Sequence, residues 1–136
     1  MSKSNDYLKT LTDVFDLNLL PKCVDEKLSI GLGRDLSDRG ISQEEAYYLA
    51  KNDIARAMLD LDQVVPWWRD MSKARRNVFV LIIYQLGVDR FLDLQSMIGG
   101  ALAGHYDAAA DGLISSEWAM LNAPHANDLN LMMREG

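Results

Sequence analysis

The sequence predicts an α+β domain that is predominantly helical, with a small β-hairpin lobe and a helical lobe around a central buried helix. Its 136 residues are 49% hydrophobic, which suffices for one domain with its own core. Apolar residues alternate with small or polar ones over residues 27–33 only, whereas helical spacing dominates after Ser42. We therefore predict one domain over residues 1–136, with the N-terminal helix and hairpin lobe at about 1–41 and the helical lobe at about 42–136.

The N-terminal lobe should begin with a short amphipathic helix over residues 5–20. Its apolar side consists of Leu8, Leu11, Val14 or Phe15, and Leu19, and the chain should enter a loop at Pro21. Residues 27–33 then predict a strand with little bulk on one face, because glycine and serine alternate with leucine and isoleucine.

The helical lobe should begin at a capping box, in which Ser42 and Glu45 satisfy each other's backbone amides. Because Pro66 disfavours helical geometry in the residue before it, this first helix should stop before Val65. Its buried stripe is predicted to consist of Leu49, Ile54, Ala57, Met58 and Leu61.

The next helix is predicted to lie at the centre of the domain. Ser72 is its candidate N-cap and Gly87 its C-terminal stop, and residues 78–83 between them are apolar on every face. Further helices are expected over residues 90–103, 106–113, 116–121 and 125–134.

Charge and cysteine content argue against nucleic-acid binding, against binding to anionic lipids and against a disulfide-stabilised fold. The net charge of −6 would repel nucleic acids and anionic lipids, and the basic cluster Arg69, Lys73, Arg75 and Arg76 is read as a solvated helix start. The single cysteine, Cys23, allows no intramolecular disulfide. No apolar run suggests a signal peptide or a membrane span, so we expect a cytoplasmic protein without membrane insertion.

No cofactor or metal site is predicted. His105 and His125 lie far apart without the spacing of metal ligands, and no glycine-rich phosphate loop occurs. Gly99 and Gly100 are read as marking close helix packing or a kink. The pair Trp67 and Trp68 has two readings, a partner-binding anchor or core packing at a helix junction.

Several motifs occur in the order found in one enzyme family. They are Ser29-Ile30-Gly31-Leu32-Gly33, the helix start Ile41-Ser42-Gln43-Glu44-Glu45-Ala46, Arg75-Arg76 with Tyr84-Gln85-Leu86-Gly87, Tyr106-Asp107-Ala108-Ala109, Trp118 and Ala123-Pro124. In this order the chain resembles the phage-type lysozymes, the endolysin muramidases, over roughly residues 5–135. The resemblance implies a lysozyme-like fold, a phage or prophage origin in a bacterial host, and peptidoglycan as the ancestral substrate.

The family's catalytic signature is Glu, eight residues, Asp or Cys, five residues, then Thr. In this family the Glu protonates the leaving oxygen and the second group supports the reaction centre. Aligned on Ser29, the signature places Cys23 at the second position and Val14 where the Glu should stand. The resemblance also puts Arg34 in place of the histidine after the strand and Gln85 in the central-helix motif, both as candidate binding residues.

One enzymatic alternative stays open, an active muramidase that uses other residues. Asp13 or Asp16, beside Val14, could replace the acid of an active endolysin-type muramidase. Asp25 or Glu26 could be its second carboxylate, although turn acids are usually only solvated. Cys23 could likewise be a reactive thiol rather than an inert loop residue.

We expect a degenerate active site, and therefore a pseudoenzyme that has lost muramidase catalysis. Such a protein would act by binding peptidoglycan or a host or phage protein. A purely structural role through self-assembly is a third alternative, and the sequence does not specify the oligomeric state.

Overall fold

The structure, a computed structural model, describes residues 3–136, with side chains from residue 6 onward. Over this range it is α+β and mostly helical, as predicted, with eight α-helices, one short 3₁₀ helix and a three-stranded antiparallel sheet. The chain forms two compact units, Met1–Tyr48 and Leu49–Gly136. Met1 and Ser2, which belong to the predicted N-terminal segment, lie outside the described residues.

The first unit contains helix α1 (Lys3–Val14) and three strands, β1 (Asn18–Val24), β2 (Lys27–Gly31) and β3 (Arg34–Asp35). The predicted helix over residues 5–20 was wrong at its C-terminal end, because residues 18–20 belong to β1. Pro21 explains the change, since it favours extended backbone in the residue before it and lacks the amide that a helix would need. Proline is tolerated here because β1 is an edge strand.

Strands β1 and β2 form the hairpin through a tight turn. The two turn residues, Asp25 and Glu26, both have positive φ angles of 52° and 66°, as primed two-residue turns require. The strand predicted over residues 27–33 is confirmed as β2 but ends at Gly31. Gly31 and Gly33, with φ angles of 69° and 85°, form a second turn that leads into β3.

Helix α2 (Gln43–Val64) begins and ends as predicted. The Glu45 amide donates to Ser42 Oγ (3.1 Å) and the Ser42 amide donates to Glu45 Oε1 (2.9 Å), which is the predicted capping box. The predicted buried stripe was wrong in its first half: Ala57 and Leu61 are buried, but Leu49 and Ile54 are exposed. The reason is that the core of the second unit packs only against the second half of this helix.

Helix α3 (Lys73–Leu86) is the central helix of the second unit. Ser72 Oγ accepts the Arg75 amide at 3.3 Å, and Gly87, with φ of 83°, ends the helix, both as predicted. Its buried side chains are Val78, Phe79, Ile82 and Ile83. Leu81 is exposed, so the expectation of burial on every face was wrong.

The remaining helices of this unit are α4 (Val88–Leu92), α5 (Gln95–Leu102), α6 (Tyr106–Ile114), α7 (Glu117–Leu121) and α8 (Ala123–Glu135). The single helix expected over residues 90–103 is therefore interrupted, between α4 and α5. The interruption allows both Phe91 and Met97 to enter the core, although side chains six positions apart would point in different directions on one continuous helix. Phe91 packs edge-on against Phe79, with ring centroids 5.2 Å apart.

Candidate functional site

Val14 is the last residue of α1, and its side chain is 68% exposed. Asp13 precedes it in the helix and Asp16 follows it in the loop, both exposed. Among the side chains of residues 6–136, neither aspartate takes part in an ion pair. The position that the predicted alignment matches to the acid thus carries a hydrocarbon side chain that can neither donate nor accept a proton.

Cys23 and Ser29 lie on neighbouring strands of the hairpin. Cys23 pairs with Leu28, whereas Ser29 pairs with Lys22 on one side and with Asp35 on the other. Directly paired residues share a face of a sheet and successive residues alternate, so Cys23 and Ser29 point to opposite faces. The hairpin therefore does not direct the thiol and the hydroxyl at the same bond. Cys23 is free and exposed.

Arg34 begins β3 and is engaged within its own unit. Its Nη1 donates to Glu45 Oε1 at 2.8 Å and to the Gly40 carbonyl at 3.3 Å. The hydrogen bond from Arg34, followed by those from Ser42, lowers the pKa of Glu45 to about 2, while Glu45 raises the pKa of Arg34. A ligand that bound Arg34 through the guanidinium would have to compete with this ion pair.

The two tryptophans of the 3₁₀ helix (Pro66–Asp70) differ in their surroundings. Trp68 is only 2% exposed, and its Nε1 donates to Asp62 Oδ1 at 2.8 Å. Arg69 donates two further hydrogen bonds to Asp62, at 2.7 and 2.9 Å, and its guanidinium carbon lies 4.8 Å from the centroid of the Trp68 ring. Hydrogen bonds from Arg69 and then Trp68 lower the pKa of Asp62. Trp68 is therefore a core residue, which agrees with the predicted alternative of core packing at a helix junction.

Trp67 is only half-buried. Its ring packs edge-on against Phe79, with centroids 5.8 Å apart, and the rest of the ring faces a surface cavity. Of the two tryptophans, only Trp67 has ring surface that a ligand could reach.

Gln85 is exposed at the end of α3. Its Nε2 donates to Asn122 Oδ1 at 3.3 Å, and Asn122 Nδ2 donates to the Trp118 carbonyl at 2.9 Å. This bond joins the end of α3 to the end of α7, where Met120 and Leu121 are 78% and 76% exposed. We call Tyr84, Gln85, Met120, Leu121 and Asn122 the α3–α7 surface. It combines two amides with large apolar side chains.

An acidic cavity of about 270 Å³ shares Tyr84 with this surface. Its other lining residues are Asp53, Arg56, Ala57, Asp60 and Ile83. Arg56 forms an ion pair with Asp60 at 3.4 Å. The sequence prediction missed this cavity, although Asp53, Arg56 and Asp60 recur at the spacing of one helix face.

No group of three or more histidine, cysteine, aspartate or glutamate side chains among residues 3–136 is arranged to hold a metal ion. No helix within this range combines the length and the apolar character needed to cross a bilayer.

No protein-family model matches the chain, and no curated protein matches it significantly. The resemblance to phage-type lysozymes therefore depends on the sequence motifs alone.

Proposed function

We propose that this chain is a lysozyme-like protein that has lost muramidase catalysis and acts by binding a protein partner. The observation that carries the proposal is Val14, a hydrocarbon side chain at the position where the motif requires the proton-donating glutamate. General acid catalysis contributes about 10²- to 10⁴-fold to a rate, so its loss alone would remove most activity.

The geometry of the first unit supports the loss of catalysis. Cys23 and Ser29 point to opposite faces of the hairpin. Arg34 is committed to Glu45. Hydrolysis of a glycosidic bond needs two groups placed on either side of it, and these three motif positions supply no such pair.

A protein partner fits the exposed surface better than a glycan does. Met120 and Leu121 are apolar residues about three quarters exposed, and they adjoin Asn122, whose amide is hydrogen-bonded to that of Gln85. Methionine and aromatic side chains are enriched in protein interfaces, and contiguous exposed apolar surface marks interaction sites. The net charge of −6 also opposes binding to an anionic cell-wall polymer.

The catalytic half of the proposal is tested by release of soluble muropeptides from purified peptidoglycan. The unmodified chain should release none. Val14→Glu restores a carboxyl group, and Val14→Gln is its matched control because it has the same shape without the acid. Turnover by Val14→Glu but not by Val14→Gln would support a disarmed catalytic scaffold.

Release by the unmodified chain would refute the proposal and favour the alternative, a working muramidase. In that case Asp13→Asn and Asp16→Asn, assayed separately, would show which aspartate serves as the acid. The alternative itself fails if neither substitution lowers the activity.

The binding half is tested by affinity capture from a lysate of the bacterium that carries the gene. Leu121→Ser should reduce capture of the bound protein, because it removes exposed apolar area from the α3–α7 surface. Leu131→Ser is the control, since Leu131 is also exposed but lies on α8. Equal capture by both variants, or capture of sacculi instead of protein, would contradict the proposal.

A further inference from the structure

A second cavity of about 270 Å³ opens on the unit Leu49–Gly136, where the 3₁₀ helix lies beside the end of α5. It is lined by Trp67, Asp70, Met71, Ala101, Leu102, Ala103, Gly104 and Tyr106. It shares no residue with the acidic cavity or with the α3–α7 surface. Nothing in the proposed loss of catalysis uses it.

Two of the walls are aromatic. Trp67 and Tyr106 are both half-buried, so part of each ring stays accessible. The Arg75 guanidinium carbon lies 3.5 Å from the centroid of the Tyr106 ring, which shows that this ring already binds one cation. Arg75 itself is held by the carbonyls of Met133 and Arg134, and it does not line the cavity.

The one charged residue in the lining of the cavity is an acid, Asp70. Asp70 is exposed, and it forms no ion pair with any side chain of residues 6–136. Helix α5 ends at Leu102, and within residues 3–136 the carbonyls of Leu102, Ala103 and Gly104 accept no hydrogen bond. The last carbonyls of a helix carry its partial negative charge, which favours cations.

We propose that this cavity binds a primary alkylammonium group, as carried by a lysine side chain. An ammonium has three donors and no acceptor, which matches a carboxylate beside free carbonyls. The methylene stem of such a ligand would lie along Trp67 and the exposed side chain of Leu102. An anion would be repelled by the Asp70 carboxylate, and a neutral hydrocarbon would leave that carboxylate unpaired.

The first experiment is a titration of the intact chain with n-butylammonium chloride, followed through the indole N–H resonance of Trp67 in NMR spectra. Trp68 and Trp118 are buried and serve as internal references. Saturable movement of the Trp67 signal with n-butylammonium, but not with n-butanol, is the expected result. Absence of saturable movement, or equal movement with the neutral alcohol, would overturn the proposal.

Blocked lysine and blocked norleucine then distinguish the source of the cation. Binding of lysine but not of norleucine assigns the cavity to a lysine side chain of a protein. If only the small free amine binds, the ligand is a metabolite-sized cation. Either result keeps the alkylammonium chemistry.

Variants connect the binding to the cavity. Asp70→Asn should weaken n-butylammonium binding about 1.5-fold to fivefold, the range for an exposed ion pair, whereas Asp128→Asn on α8 should leave it unchanged. Trp67→Phe should retain more binding than Trp67→Leu, because only phenylalanine keeps a π face. Equal affinity for unmodified chain and Asp70→Asn would overturn the role of the carboxylate and with it the proposal.

Discussion

Two adjacent glycines in α5 should respond to alanine in opposite directions. A Cβ added at Gly100 would lie 2.7 Å from the backbone nitrogen and 2.9 Å from the Cα of Ala109 on α6, closer than such atoms can approach. A Cβ added at Gly99 would meet nothing within 4 Å. Gly100→Ala therefore tests the packing of α5 on α6, and Gly99→Ala is its control on the same helix.

Two opposing effects, helix propensity and overpacking, determine how much each substitution changes the free energy of unfolding. Alanine is better than glycine inside a helix by about 0.5–1 kcal/mol, and at Gly99 this gain should appear undiminished. At Gly100 the same gain is offset by overpacking, which costs about 1–3 kcal/mol in a well-packed core. Because the backbone of α6 cannot rotate away as a side chain could, we expect Gly100→Ala to be the less stable variant by about 2 kcal/mol.

Urea denaturation followed by circular dichroism measures the two free energies of unfolding, and the two melting temperatures should differ by about 5–10 °C. The reasoning is refuted if Gly100→Ala is as stable as Gly99→Ala. That result would mean that α5 and α6 do not approach at Gly100 as closely as the structure has it.

Three further perturbations probe other parts of the chain. Phe79→Ala should lower the free energy of unfolding by about 3–5 kcal/mol, because the ring is fully buried against two aromatic neighbours; an unchanged urea midpoint would contradict this packing. The folded pKa of Glu45, about 2, lies below its ordinary 4.5, so its stabilisation is present above pH 4.5 and is lost as the pH falls toward 2. Thermal denaturation of Glu45→Gln should therefore depend less on pH in this window, and Glu44→Gln should behave like the unmodified chain. Asp62→Leu leaves the buried Trp68 indole N–H without its acceptor and should lower the melting temperature, whereas an unchanged value would contradict the hydrogen bond.

The element boundaries that could be predicted depend on local chemistry. The capping box of Ser42 and Glu45 and the N-cap at Ser72 use side chains within three residues of the amides they satisfy. Pro66 and Gly87 stop helices through their own backbone preferences. These signals lie in a few adjacent residues, so they can be recognised before any tertiary contact is known.

The mistakes concern burial and pairing, which require distant partners. Leu49 and Ile54 follow the same apolar stripe as Ala57 and Leu61, yet the core reaches only the latter pair. Residues 18–20 have the spacing of a helix, but the pairing of Asn18 with Gly31 of β2 and the adjacent Pro21 place them in a strand. Periodicity identifies an apolar face without showing what covers it.

At the candidate site, too, residue identities could be predicted from the sequence, whereas contacts between residues could not. The order of the motifs and the alignment that places Val14 at an acid position need no coordinates, and the resemblance to phage-type lysozymes that they suggest stays a prediction. The sequence could not show that Cys23 and Ser29 point to opposite faces, or that Arg34 is paired with Glu45. Nor could it choose between the two readings of Trp68.

The sequence by itself determined which chemical groups this protein possesses and where most of its helices begin and end, because both depend on residue identity and on neighbours within a few positions. Only the tertiary structure decided which side chains are buried, paired or accessible. Burial and ion pairing depend on contacts between segments far apart in the chain, and no local pattern specifies those contacts.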